Sequence, residues 1–156
     1  MRSEPLEALT LWPEWAWAIC HRNKRIENRT WPPPKRLIGK WIAIHAGKHI
    51  GGRPGDDACL DGLRDLDEMA DEAGAEIPYF SDLIPMIVTS AIVCLVKVSG
   101  CIENQEPEGW YNGSIGWQLS EVINLETPVK CRGWQGLWIV PQEIVTCIPE
   151  VRRCIG

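Results

Sequence analysis

The sequence predicts an α+β fold: a small curved sheet, or partly open β-barrel, of five or six strands with two or three helices. Three observations lead there. Met86 to Val98 (MIVTSAIVCLVKV) is a long β-branched run, and several other segments read as strands. The strongly amphipathic helical stretch, Asp57 to Ala73, is inserted between early strands instead of alternating with them. The chain has 156 residues, 45% hydrophobic and 24% charged, which suits one domain over 1–156 with its own core.

The elements follow in order. Residues 5–11 read as a lead-in or first strand. Residues 12–23 (WPEWAWAICHRN) read as a short helix, with Pro13 in its first turn, Glu14 at the positive end of its dipole, and Trp15, Ala18 and Ile19 on one face. Residues 25–31 alternate as a strand, with Arg25, Glu27, Arg29 and Trp31 on one side and Ile26, Asn28 and Thr30 on the other. Pro32, Pro33 and Pro34 make a stiff connector to a strand over Gly39 to Ala46. After a loop at 51–56, the helix Asp57 to Ala73 turns Leu60, Leu63, Leu66, Met69 and Ala70 inward and its acids outward. A Gly/Pro-punctuated connector, 74–85, leads into the strand Met86 to Val98. Pro107 to Gly113 is a loop, 115–127 a strand bent at a polar position, Gly133 to Val140 a turn entering a strand, and Pro141 to Val145 a helical turn.

Composition removes several classes. The formal net charge is −5, and the balance of residues is that of a globular protein, not a disordered tail, a collagen or a coiled coil. The apolar stretch Ile77 to Val98 is interrupted by Asp82, Pro85 and Lys97 and does not read as a membrane span. Glu4, Glu7, Pro13 and Glu14 break up any signal-peptide layout, so a cytoplasmic protein without a membrane partner is expected. The seven cysteines are odd in number, with no CxxC pair, which reads as reduced thiols; no metal and no cofactor are expected.

Charge and aromatics are unevenly distributed. His21 to Arg53 holds nine basic residues and one acid, whereas Asp56 to Asp82 holds ten acids and one base. Either the basic block forms a phosphate-facing surface, or the two blocks neutralise each other across the fold. Nine of the twelve aromatic residues are Trp, a residue that serves both cores and base-stacking pockets.

Three segments carry a resemblance. Trp15 to Trp31 (WAWAICHRNKRIENRTW) contains a Trp-Ala helix and a K-x-x-E-x-R motif made by Lys24, Glu27 and Arg29. Ile42 to Lys48 (IAIHAGK) is a strand ending in His-Ala-small-Lys. Gly116-Trp117, Pro128-Val129 and Cys131 to Trp138 (CRGWQGLW) supply the closing strands. In this order they resemble the ASCH family of the PUA-like superfamily, in its stand-alone phage and bacterial form. Two positions depart from the family pattern: Pro13-Glu14 stands where Gln-Pro is usual, and Arg22 where Gly is usual.

The resemblance implies a PUA-like barrel that binds RNA or a modified nucleobase through a basic cleft. Glu27 is suited to accept from an exocyclic amine, while Arg29, Lys48, Arg132 and Gln135 are candidates to line the cleft, and Trp31 and Trp117 are candidate stacking faces. The alternative is a small hydrolase. Relatives that deacetylate acetylcytidine read K-x-x-T-x-R, and here Glu27 takes the Thr position, where it would have to activate a water. Other relatives act as ribonucleases, and that resemblance points to Lys24 and His45 as the acid/base pair here, with Arg29 or Lys48 on the phosphate. The expected partner is therefore RNA, a nucleotide or a modified nucleoside. A protein-binding role for the acidic helix is a third reading.

Overall fold

In a computed structural model that describes residues 4–154, the chain runs β1 (Glu7–Leu11), α1 (Pro13–His21), β2 (Ile26–Arg29), β3 (Trp41–Ala46), α2 (Asp56–Glu72), α3 (Phe80–Leu83), β4 (Ala91–Glu103), β5 (Ile115–Lys130), β6 (Leu137–Ile139) and α4 (Gln142–Val145). The six strands form one sheet in the order β2-β5-β4-β3-β1-β6. Every neighbouring pair is antiparallel except β1 and β3. The sheet does not close, so β2 and β6 are its edges, and the fold is α+β as expected. The β4–β5 hairpin is long, and shifts of register along it bend the sheet.

Both faces of the sheet are covered. On one, Ala16 and Ile19 of α1 pack on Ile42, Ile44, Val96 and Trp117. On the other, the C-terminal segment lays Val140 and Ile148 on Ala43, Leu95 and Trp138. Helix α2 packs outside α1, bringing Leu63, Leu66 and Ala70 against Trp17 and Ala18. This layering explains why α1 does not have the single buried face expected from Trp15, Ala18 and Ile19. It lies between sheet and α2, so Pro13, Glu14, Ala16, Trp17, Ala18 and Ile19 are all buried.

Other boundaries move for local reasons. Strand β4 starts at Ala91, not Met86, because Ile84–Met86 is a 3₁₀ turn and Ser90 adopts φ 54° before the sheet begins. The 74–85 connector contains the one-turn helix α3. Leu60, expected inward, is 38% exposed; Ala58 and Gly62 take the inner face of α2 instead. No helix among the described residues is long and apolar enough to cross a membrane.

Candidate functional site

The parallel strands β1 and β3 both end at one cleft, the usual place for a ligand beside parallel strands. It has two lobes, an inner one of about 440 Å³ and an outer one of about 670 Å³. Thr10, Leu11, Trp12 and Arg29 belong to both. The inner lobe adds Trp15, Lys24 and Glu27, and the outer adds Trp31, His45, Lys48, Arg132, Trp134 and Gln135. Eight of the nine residues proposed from sequence therefore meet here; Trp117 does not.

The inner lobe is built around a buried ion pair. After α1, Asn23 turns at φ 56°, a conformation Asn tolerates, and the Lys24 N–H closes back on the Ala18 carbonyl at 3.2 Å. That turn sends the Lys24 side chain inward, where it is 1% exposed. Its Nζ donates to Glu27 Oε1 at 3.0 Å and to the Ile26 carbonyl, and lies 5.6 Å from the centre of the Trp15 ring. Arg29 approaches Glu27 less closely, Nη1 to Oε2 3.7 Å, and its Nε has no hydrogen-bond partner among the described residues. Asn28, on the other side of β2, donates to the Trp110 carbonyl and so anchors the β2 edge.

The outer lobe has a locked floor. Trp138 Nε1 donates to Thr10 Oγ1 at 3.1 Å, and Thr10 Oγ1 lies 3.2 Å from His45 Nδ1. His45 Nε2 lies 2.8 Å from the Cys131 carbonyl, which only accepts, so the imidazole carries its proton on Nε2 and accepts from Thr10 at Nδ1. Burial holds the His45 pKa below its usual 6.5, against the opposing pull of the Cys131 carbonyl. Both ring nitrogens are thus engaged by protein atoms, and the His45 ring braces the floor of the cleft. Gly133 lies flat on this floor, where a Cβ would come within 2.4 Å of His45 Nδ1 and 2.6 Å of Thr10 Oγ1.

Trp117, expected as a stacking face, lies outside both lobes. It is fully buried beneath Trp31, edge-on at 5.0 Å between ring centres, and its Nε1 donates to the Trp31 carbonyl at 2.9 Å. It supports Trp31 and offers no face to the cleft. Besides Trp31, three other tryptophans line the cleft: Trp15 in the inner lobe, Trp12, 47% exposed, in both, and Trp134, 51% exposed, in the outer. Gly52 backs the Trp12 ring so closely that a Cβ would lie 2.4 Å from its Nε1. The Arg132 guanidinium stacks 3.9 Å from the centre of Trp134. The visible signal for Trp12 was its place just before a helix-starting proline, at a strand-to-helix junction.

The basic block divides between folding and the cleft. Arg36 pairs with Glu7, Lys40 with Glu4, and Arg53 with Asp61 of the acidic helix. Arg25 bonds the Ile19 carbonyl. Of the nine, only Lys24, Arg29 and Lys48 line the cleft. The block is therefore not one continuous phosphate-facing surface.

The two departures from the family pattern are structural. Arg22 bonds the Glu76 carbonyl and stacks 4.6 Å above Trp17. Glu14 is fully buried and accepts from the Gly51 N–H at 2.9 and 3.2 Å, tying α1 to the loop that carries Lys48 and His49 into the outer lobe. Burial pushes its carboxyl up to about 7 from 4.5; the Asp65 charge adds to this and hydrogen bonds to Glu14 and Gly51 backbone groups oppose it. No group of three or more His, Cys, Asp or Glu side chains among the described residues is placed to hold a metal ion.

An open six-stranded mixed sheet, with one helix packed across it and a cleft where its parallel strands end, defines an α+β protein. The sequence profile of the ASCH domain matches residues 9–129. The chain belongs to the ASCH domain family. The crystal structure of ASCH from Zymomonas mobilis is similar over 91% of this chain and 92% of that one, at 12% identity and a TM-score of 0.50. A mutant form of that Zymomonas mobilis protein matches over 94% and 96%, at 12% identity and a TM-score of 0.49. No curated protein sequence matches the chain.

Proposed function

We propose that the cleft binds RNA or a modified nucleobase, with one base held in the inner lobe. The observation that carries this reading is the buried Lys24–Glu27 pair, which opens on a lobe of about 440 Å³ beside the half-exposed Trp12. Burying two charges is costly unless they are paired, and here Glu27 Oε2 has only the 3.7 Å approach of Arg29. That oxygen is suited to accept from an exocyclic amine such as that of cytosine or adenine. Arg29, Lys48 and Arg132 supply positive charge for phosphate, and Trp12 supplies a ring for stacking.

A hydrolase reading draws on the same oxygen. Glu27 stands where deacetylating relatives carry threonine, so a nucleophilic hydroxyl is missing and the carboxylate would instead orient a water. Lys24 would then stabilise the developing negative charge.

Calorimetry with RNA oligonucleotides and nucleosides, together with mass spectrometry of RNA and acylated cytidines after incubation, separates the two. Binding that is lost in Glu27→Gln, with substrates unchanged in mass, supports the binding reading. Products that vanish in Lys24→Ala support hydrolysis. No binding and no product at high protein concentration overturns both.

A further inference from the structure

We propose that the outer lobe is a second stacking subsite, so that the ligand is a single-stranded RNA segment of at least two nucleotides and not a free base or nucleoside; this rests on the base-binding reading of the inner lobe. The first ground is continuity. The lobes share Trp12 and Arg29, and the outer, at about 670 Å³, is larger than the inner. Pockets for one small molecule span roughly 300–1,000 Å³, and the two lobes together pass the top of that range. A nucleoside in the inner lobe would leave the larger compartment unused.

The second ground is what lines it. Trp12 and Trp134 are the two tryptophans among the exposed large apolar side chains, and both line the outer lobe. Each is backed by protein, Trp12 by Gly52 and Trp134 by the Arg132 guanidinium. Half-exposed, backed indoles suit sequence-tolerant base stacking, because every base has a π-face.

The third ground is the placement of charges. Arg29 lines both lobes, so its positive charge lies where the phosphodiester between two stacked bases would pass. Lys48 and Arg132 line the outer lobe alone. Cations and half-exposed rings share the lining of the outer lobe, the two kinds of group that phosphates and bases of a strand require.

The fourth ground is preorganisation. Gly133 rests on the locked pair Thr10 and His45, so the residues on either side of it, Arg132 and Trp134, are carried on a rigid floor.

The test is calorimetry of the intact protein with oligoribonucleotides of each of the four bases, one to four nucleotides long. For at least one base, affinity should rise about tenfold or more from one nucleotide to two. Trp134→Ala should erase most of that gain while leaving mononucleotide affinity within about twofold, and Trp134→Phe should restore part of it. Trp134 is half exposed, so the variants should fold, and circular dichroism checks this. Equal affinity at all lengths, or an undiminished gain in Trp134→Ala, overturns the second subsite and leaves the inner-lobe reading standing. No binding at any length overturns the inner-lobe reading, and this proposal with it.

Discussion

Replacing Gly62 by alanine sets two effects of opposite sign against each other. Gly62 lies within α2, where alanine is intrinsically better than glycine by about 1 kcal/mol. In this fold, however, a Cβ there would sit 2.1 Å from Glu14 Oε2 and 2.8 and 2.9 Å from the Gly51 backbone. Neither neighbour can step aside. Glu14 is fully buried and tied to the Gly51 N–H, while Gly51 has φ +80° and lies so near the Ala58 carbonyl that its own Cβ would be 2.0 Å away. Overpacking of this kind typically costs about 1–3 kcal/mol. Separating Glu14 from Gly51 leaves a buried polar group short of a partner, about 1–3 kcal/mol more. The net expectation, after the propensity gain, is a loss of about 2–4 kcal/mol. For a chain of this size that lowers Tm by roughly 5–15 °C. Urea unfolding followed by tryptophan fluorescence, with midpoint and slope fitted separately, reads the loss directly. Adding Glu14→Ala should give less than the summed effects, because the two sites share one contact. A Gly62→Ala protein as stable as its parent would refute the close docking of α2 on α1 and on the loop that carries Lys48.

Further predictions concern buried polar groups. Glu14 ionises near 7 in the folded chain and near 4.5 when unfolded, so the native state holds a proton that the unfolded state releases in between. Stability relative to Glu14→Gln should therefore fall as pH rises from about 4.5 to 7, by up to about 3 kcal/mol, and parallel pH–stability curves for the two proteins would contradict this. His45 carries the opposite sign: its pKa is held below 6.5, so its contribution is present above 6.5 and is lost as pH falls below it. Nitrogen NMR should find the Nε2–H form, and a His45 titrating at or above 6.5 would count against the locked floor. Thr10→Val leaves His45 Nδ1 and Trp138 Nε1 short of a partner and should cost about 2 kcal/mol in chemical denaturation. Lys24→Met strands the Glu27 carboxylate and should cost about 3–5 kcal/mol, much of which Glu27→Gln in the same chain should recover; simple additivity would disprove the coupling.

Local pattern made part of this molecule legible. The alternation around Glu27 and Arg29 placed both on one side of β2, and there they line the inner lobe beside Lys24. The β-branched run located β4, and the apolar stripe of 57–73 located α2. What pattern could not show depends on partners distant in the chain. His45 sits at a strand end, as catalytic groups often do, but its role is set by Thr10 and Cys131, 35 and 86 residues away. Trp117 and Trp134 are alike as letters; one is sealed beneath Trp31 and the other stands half in water. Glu14 reads as a helix-dipole residue, and only the docking of α2 makes it a buried carboxyl. The basic block was legible as charge, but its division between Glu4, Glu7, Asp61 and the cleft depends on the sheet order.

The position of β1 between β3 and β6 has a consequence for when the cleft comes into being. Ladders β3–β4 and β4–β5 join segments adjacent in the chain order of strands, whereas β1 is completed by pairing Glu7, Ala8 and Leu9 with Ile139, Trp138 and Leu137. That is the pairing with the greatest sequence separation in the sheet, and it bears the largest loop-closure entropy. During synthesis the hairpin of β4 and β5 can form while the segment 131–136 is still inside the ribosome. The outer wall then closes as the tail reaches back to the first strand. A chain stalled at the end of β5 would own Lys24, Glu27 and Arg29 yet lack the Trp138 and Cys131 groups that hold Thr10 and His45 in place. Completion of the cleft is thereby tied to the final closure of the sheet.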